Sequence, residues 1–566
     1  MSEQSNESLP WYKDNIWPKG VPKNLDIGTF IKDTNLAKMF DETVNKYPNN
    51  TFLIFKEINL SFNEVMGSVK NIVKNLSNKG VTKDDKFAIL MPNCIQWVIS
   101  FWVTQYFGGP VTLLNPLHVS KEYEYQLKET ETSVLFVADF LYDKIYPIKK
   151  KTNLKIIVET NIGDVFPKFK QFLGKLIGKI PKGSIKDPES IFWKDIILEN
   201  TSITLPEISE RNENDVAVLL YTGGTTGVPK AAMLTHGNLM SNIYQAIHWL
   251  PLSEKDIFVG ALPFFHSYGL MIQLFAASKL GSKLILIPNP RDIDDLISNI
   301  KENSATVFIG VPTLYIALLN HKKFKEIKLD SIRYCLSGGA PLPYEIQKNF
   351  EEQTSSIIIK GFGMTETSPL AAASPLGNCR PGSTGIPISN TICKVIDIET
   401  GKEVPYGEIG ELIISGPQVM KGYYKKAEET KKALENREGK IWMHTGDIAK
   451  IDTDGYVFII DRLKDMINVS GYKVYPTEVE EIMYKHPAIK EVSVIGVPDE
   501  RTQEKVKAFL ELKENFKVSE DEIIEFCKEN MAKYKVPKEI VFTSSLPKSM
   551  VGKVLRRELR AQESEI

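Results

Sequence analysis

Short apolar runs alternate with stretches in which apolar residues recur every three to four positions along most of this chain. The runs at 86–91, 109–114, 133–137, 155–159 and 216–220 are short and turn-bounded, which predicts buried strands. Residues 36–47 and 62–76 have helical spacing, and 94–106 predicts a mostly apolar helix. The stretch 52–62 predicts a hairpin about Lys56-Glu57. Further strands are expected at 256–262, 283–287, 306–311, 333–336 and 357–360, with helices at 296–303 and 314–319. Strands alternating with helices imply a parallel sheet covered on both faces.

The pattern changes after residue 383. Short β-rich stretches with turns at Gly385-Ile386-Pro387, Glu399-Thr400-Gly401 and Pro405-Tyr406-Gly407 predict a small antiparallel barrel or sheet. Asp452-Thr453-Asp454-Gly455 predicts a hairpin turn. The charged pentad 461–465 then separates two apolar runs and is taken as a domain boundary. Beyond it, helices at 474–484 and 520–531 and strands at 489–497 and 506–512 make a small α+β domain. The fold class expected is α/β: a large N-terminal domain of βαβ-type sheets (1–461) with a small β-barrel subdomain, and a small mobile α+β C-terminal domain (462–566).

Residues 161–183 read differently. Phe166, Phe169, Phe172, Leu173, Leu176, Ile177 and Ile180 recur at helical spacing, with Lys168, Lys170, Lys175, Lys179 and Lys182 between them and no acid after Asp164. Two readings are open. A basic amphipathic helix can lie on an anionic membrane surface; it can equally pack its apolar face on its own domain and leave the lysines in water.

Composition narrows the class. The chain has 566 residues, 42% hydrophobic and 25% charged, with a formal net charge of −1. These values are ordinary for a globular protein of more than one domain and give no global field that would favour nucleic acid. Five scattered cysteines contain no C-x-x-C pair, so reduced thiols and a cytoplasmic location are expected, with peripheral contact at the inner face of the membrane under the first reading of 161–183. The N-terminus lacks the apolar core of a signal peptide, and no apolar run approaches the ~20 residues of a membrane span.

Candidate chemistry sits in loops after predicted strands. YTGGTTGVPK at 221–230 bares backbone N–H groups at Gly223, Gly224 and Gly227, adds the hydroxyls of Thr222, Thr225 and Thr226, and ends on the charge of Lys230. That combination suits a polyphosphate, although a Val-Pro pair before the lysine departs from the Walker A spacing. His266, flanked by aromatics, is either a packing residue or a ligand group at a strand end. Ser337-Gly338-Gly339-Ala340-Pro341 is either a tight turn or a surface on which a flat ring can lie. In Gly361-Phe362-Gly363-Met364-Thr365-Glu366, an aromatic between glycines can stack on a base, and the Thr-Glu pair offers hard oxygens suited to Mg²⁺. Asp447, after His444-Thr445-Gly446, can bridge vicinal hydroxyls. Lys553 lies in a basic tail.

Taken together, YTGGTTGVPK followed by LTHGN, GFGMTET, WMHTGD, DRLKD and LPKSMVGKVLRR resemble the signatures of the adenylate-forming enzymes: acyl- and aryl-CoA ligases, firefly-type luciferases and peptide-synthetase adenylation domains. The resemblance spans roughly residues 36–560. It is nearest to bacterial-type long-chain fatty-acid:CoA ligases through the opening Pro10-Trp11, Asn289-Pro290-Arg291-Asp292 and the 469–476 segment. Ala231 and Val551 stand where the family more often has Gly and Ser.

The resemblance implies a two-step ligase with ATP, CoA and a medium- to long-chain fatty acid as substrates and Mg²⁺ as cofactor. It makes Thr222, Gly223, Gly224, Thr225, Thr226 and Lys230 phosphate ligands, and Thr225 and Glu366 metal ligands. Gly338, Gly339, Ala340, Gly361, Phe362 and Gly363 would line the adenine and acyl pockets. Thr365 would touch the α-phosphate, Asp447 and Arg462 the ribose, and His266 the acyl carboxylate. Lys553 becomes the adenylation lysine, Lys464 a hinge, and Ser470, Gly471 and Tyr472 the wall of a CoA tunnel. A stand-alone adenylating enzyme for an aryl or other acid, or a loader of a carrier protein, is the alternative. Oligomeric state is left open, a homodimer included.

Overall fold

The computed structural model describes residues 14–32, 34–176, 178, 180–183, 187–198, 211–222, 229–499, 501–514, 516–548 and 554–564. Two large mixed sheets dominate it. In the nine-stranded sheet, six parallel strands run in the order Thr51–Phe55, Lys283–Leu286, Ile257–Gly260, Val307–Gly310, Tyr334–Ser337 and Ile357–Gly363. Antiparallel strands finish both edges. The eight-stranded sheet has a parallel set from Val216–Thr222 to Ile191–Phe192 and two antiparallel strands, Lys230–Thr235 and Gly422–Tyr423. The expected parallel arrangement therefore holds for the centre of each sheet, with antiparallel strands added at the edges.

Helix Ile95–Phe107 shows why its sequence is apolar on every side: all of its residues are buried. A helix without a solvent face has no need of amphipathic spacing. Gly108, at φ +77°, ends it in a left-handed conformation that glycine takes without strain. Helix His236–Trp249 starts at Thr235-His236-Gly237-Asn238, whose residue types suit a turn and helix start; Asn238 N donates to Thr235 Oγ1 and Thr235 N donates to Asn238 Oδ1.

A five-stranded antiparallel sheet (Ile392–Ile396, Gly410–Ser415, Leu434–Arg437, Lys440–Ile451, Val457–Arg462) carries its own small core of Cys393, Leu412, Ile414, Ala449 and Val457. This is the expected small β subdomain. After it, Ile467, Val474, Val479, Val494, Leu510 and Ile523 form a separate core between the sheet around Gln503–Leu512 and helices Pro476–Met483 and Glu520–Asn530. The molecule is thus a large N-terminal α/β domain with a β subdomain and a small C-terminal α+β domain. Among the described residues no helix is long and apolar enough to cross a membrane.

Candidate active site

Three of the predicted loops leave the same edge of the nine-stranded sheet. They follow Ile257–Gly260, Tyr334–Ser337 and Ile357–Gly363, strands that are neighbours apart from Val307–Gly310 between the first two. Carboxyl ends of parallel strands are where open α/β sheets bind ligands. His266 caps the short turn Ser267–Gly269, its Nδ1 accepting from Tyr268 N at 3.3 Å. Desolvation pushes its pKa down to about 4, so the ring is neutral at physiological pH. The Tyr268 ring lies against Gly338, where a Cβ would come within 3.1 Å of it. Across the gap, Ser267 Oγ is 3.4 Å from Thr365 Oγ1.

Glu366 is 6% exposed, and Tyr423 Oη donates to its Oε1 at 2.8 Å. Tyr423 sits on the edge strand Gly422–Tyr423 of the other sheet, pinned by pairing with Lys230–Thr235. The Lys230 ammonium lies 5.4 Å from the centre of the Tyr423 ring and is ion-paired with Glu429. Burial raises the Tyr423 phenol pKa, Glu366 raises it further, and Arg462 is close enough to oppose them. Tyr423 therefore joins the phosphate-loop lysine, the candidate metal carboxylate and the candidate ribose arginine.

Asp447 and Arg462 face each other across the strand pair Lys440–Ile451 and Val457–Arg462, with Arg462 Nε 2.7 Å from Asp447 Oδ1. Asp447 is 2% exposed and projects from a bulge: the two steps from Glu411 to Ile413 are matched by the four from His444 to Ile448. Gly446, at φ +65°, makes that bulge possible. His444 braces it, its Nδ1 3.0 Å from Glu411 Oε2 and its Nε2 3.0 Å from Glu435 Oε2. Phe362 is half-buried against the β-subdomain core.

The structure thus brings Lys230, Glu366 and Arg462 around Tyr423, with Asp447 paired to Arg462, and places His266, Gly338 and Thr365 at neighbouring strand ends. Thr222 pairs with Lys230 where the phosphate loop leaves and re-enters the sheet. Gly223, Gly224, Thr225, Thr226 and Lys553 lie outside the described residues. Ser470-Gly471 turns a tight hairpin at φ +53° and +87°, and the exposed Tyr472 ring stacks 4.8 Å from Tyr534 within the C-terminal domain. That hairpin is not part of the Tyr423 group. Lys464 stands beside Asp465, whose carboxylate takes Arg560 at 2.8 Å and Arg556 at 3.5 Å. Arg556 also bonds Asp461 at 2.9 Å and Glu480 at 2.7 Å.

Sequence reading did not find Tyr423, Glu429 or Arg556. Tyr423 lies 57 residues from the carboxylate it serves, and a tyrosine beside a glycine at an edge strand carries no local signal of that partnership.

Comparison with known proteins agrees with this geometry. The family model of the AMP-binding enzymes matches residues 40–424, and that of their C-terminal domain matches residues 478–553. A long-chain-fatty-acid–CoA ligase of Bacillus subtilis is 37% identical over 98% of both chains. One from Escherichia coli O6:H1 is 34% identical over 96% of this chain and 97% of its own. Among solved structures, the anthranilate CoA ligase AuaEII in complex with anthranoyl-AMP aligns with a TM-score of 0.84 at 28% identity, over 96% of this chain and 99% of that one. ATP-bound MatB from Rhodopseudomonas palustris aligns with a TM-score of 0.81, also at 28% identity, over 94% and 99%. Family models matching residues 40–424 and 478–553, with relatives similar over nearly the full length, mark the chain as a member of the AMP-binding enzyme family. Within that family it is an adenylate-forming CoA ligase.

Proposed function

We propose that this chain is an ATP-dependent, AMP-forming fatty acid:CoA ligase. The observation that carries the acyl class is the likeness, over nearly the whole chain, to relatives named long-chain-fatty-acid–CoA ligases; beside it stands an internal void of only about 20 Å³, room for about one water, whose apolar lining includes Trp249, Phe258, Ile272, Val307, Leu336 and Ala373. Ile272 belongs to the turn of helix that follows His266, and Leu336 immediately precedes Ser337-Gly338, so the cavity adjoins the residues expected at the carboxylate. The names of the Bacillus and Escherichia relatives support the same class.

In the first step a carboxylate oxygen of the acid attacks the α-phosphorus of ATP. The bond from that phosphorus to the bridging oxygen breaks, and pyrophosphate leaves on the opposite side. Neutral His266 does not trap the carboxylate as an ion pair and can donate a hydrogen bond to it. Lys230, with Thr225 and Thr226, holds the leaving phosphates, and Thr365 the α-phosphate. Asp447 accepts from the ribose hydroxyls while Arg462 keeps its carboxylate oriented. Lys553 supplies positive charge to the pentacovalent transition state. Glu366 fits a Mg²⁺ ion: it is a hard oxygen donor whose second oxygen is left by Tyr423, and one carboxylate plus phosphate oxygens is the set this ion takes. When bound, Mg²⁺ neutralises phosphate charge.

In the second step the C-terminal domain, its boundary between Asp461 and Arg462, turns about Lys464. Lys553 is withdrawn, and Ser470, Gly471 and Tyr472 line the path of the CoA pantetheine. The thiol sulfur attacks the acyl carbonyl, the carbon–oxygen bond to AMP breaks, and the thiol proton passes to water.

The aryl-acid reading has one observation in its favour, the likeness to a ligase solved with anthranoyl-AMP. Assays of AMP and acyl-CoA across medium- and long-chain fatty acids, benzoate and anthranilate decide between them. The fatty-acid proposal expects kcat/KM to rise with chain length and to exceed that of either aromatic acid. A preference for an aromatic acid overturns it.

A further inference from the structure

The basic segment noted in the sequence forms a helix, Lys168–Leu176, whose apolar stripe faces water. Phe169 is 71% exposed, Phe172 66%, Leu173 38% and Leu176 69%. Their spacing puts all four on one side of the helix. The helix is fastened by other groups. Phe166 stacks on Phe55 with centroids 5.8 Å apart, Gln171 Nε2 donates to Phe166 O at 2.8 Å, and Lys170 is ion-paired with Glu57. Ile180, 9% exposed, folds back so that its N donates to Gly174 O at 3.0 Å. The stripe is thus held outward by the domain, and burying it on the same domain would require these contacts to break.

We infer that this helix is a docking surface for an anionic lipid bilayer, lying in the plane of the interface with Phe169, Phe172 and Leu176 inserted among the headgroups. Charge selects the occupant. Residues 165–186 contain six lysines and no acid, so the sequence around the apolar stripe is uniformly cationic. Phenylalanine and leucine on one side with lysine around them are the two halves of interfacial binding: apolar insertion and attraction to anionic headgroups. A second copy of this chain is a poor fit, because an isologous contact sets the same lysines against each other. At nine residues the helix is far too short to span the bilayer. The inference does not rest on the acyl specificity proposed above.

The test is co-sedimentation of the full-length protein with phosphatidylcholine vesicles, with and without phosphatidylglycerol, at low and high salt. Wild type is expected to partition at least tenfold more strongly onto the phosphatidylglycerol vesicles and to be released by salt. Phe169→Glu/Phe172→Glu, at exposed positions, is expected to lose that partitioning while its melting temperature and its rate of acyl-CoA formation in detergent stay at wild-type values. Equal binding by the double variant, or no preference for anionic vesicles, overturns the proposal. So does a concentration-dependent dimer of wild type that the double variant abolishes, which would assign the face to a second copy.

Discussion

At the scale of single residues, Tyr423 is the least expected participant. Its hydroxyl fixes one oxygen of Glu366, and its ring faces Lys230. Partners that orient a metal-binding carboxylate typically matter 10–100-fold. Tyr423→Phe should therefore lower fatty-acid-dependent ATP–pyrophosphate exchange about tenfold or more and raise the Mg²⁺ concentration needed for half-maximal rate, with little change in KM for CoA. An unchanged Mg²⁺ requirement would show that the hydroxyl only fills space. His444 offers a pH test. Glu411, against some desolvation, and then Glu435 raise its pKa on folding. Its stabilisation is therefore complete below the unfolded value of ~6.5 and fades as pH rises through the folded value. The melting-temperature gap between wild type and His444→Gln should be widest near about pH 6 and narrow toward about pH 9. A gap that widens with pH would contradict the pairing.

At the scale of elements, much was legible in the sequence because burial wrote it there. The strand stretches at 86–91, 133–137 and 357–360 are apolar because both faces of their sheets are covered, and each lies within two or three residues of an observed strand. Strands Leu434–Arg437 and Tyr472–Val474 were missed: the first has no buried residue and the second only Val474, so no apolar run marks them. The helix within 161–183 is shorter than its periodicity suggested; it begins after Pro167, and the described part ends at Leu176. The loops bearing His266, Thr365 and Asp447 were found by residue type, yet their meeting point depends on edge pairing that leaves no periodic trace. The same holds for helix Arg556–Ser564, which packs against the 461–465 segment through Arg556. Burial raises the Glu480 carboxyl pKa, and Arg556 opposes this. Arg556→Ala leaves that carboxylate without its cation and should cost the C-terminal domain about 3 kcal/mol, read by denaturant unfolding. Arg556→Lys should recover part of it, and full stability of the alanine variant would remove the arginine from the domain's support.

At the scale of the whole molecule, the C-terminal domain has a core of its own, while the putting-together of the active site draws on both large sheets and the β subdomain. A separate core would let that domain turn as a unit, as the two half-reactions proposed above require. If Lys553 serves only the first, Lys553→Ala should lose pyrophosphate release by a factor of at least about a hundred, as removal of one transition-state donor does, yet still convert supplied acyl-adenylate and CoA to thioester. Loss of both halves together would argue against a turning domain. The helix Lys168–Leu176 belongs to this scale as well: docked on a bilayer as inferred above, it would place the large domain against the phase into which long acyl chains partition. The most direct test of the central claim is product identification by mass spectrometry, with purified protein, ATP, CoA and an equimolar mixture of a long-chain fatty acid and anthranilate. Fatty acyl-CoA and AMP in equal amounts, with pyrophosphate, are the expected products; anthraniloyl-CoA as the main thioester, or AMP released without any thioester, would contradict a fatty acid:CoA ligase.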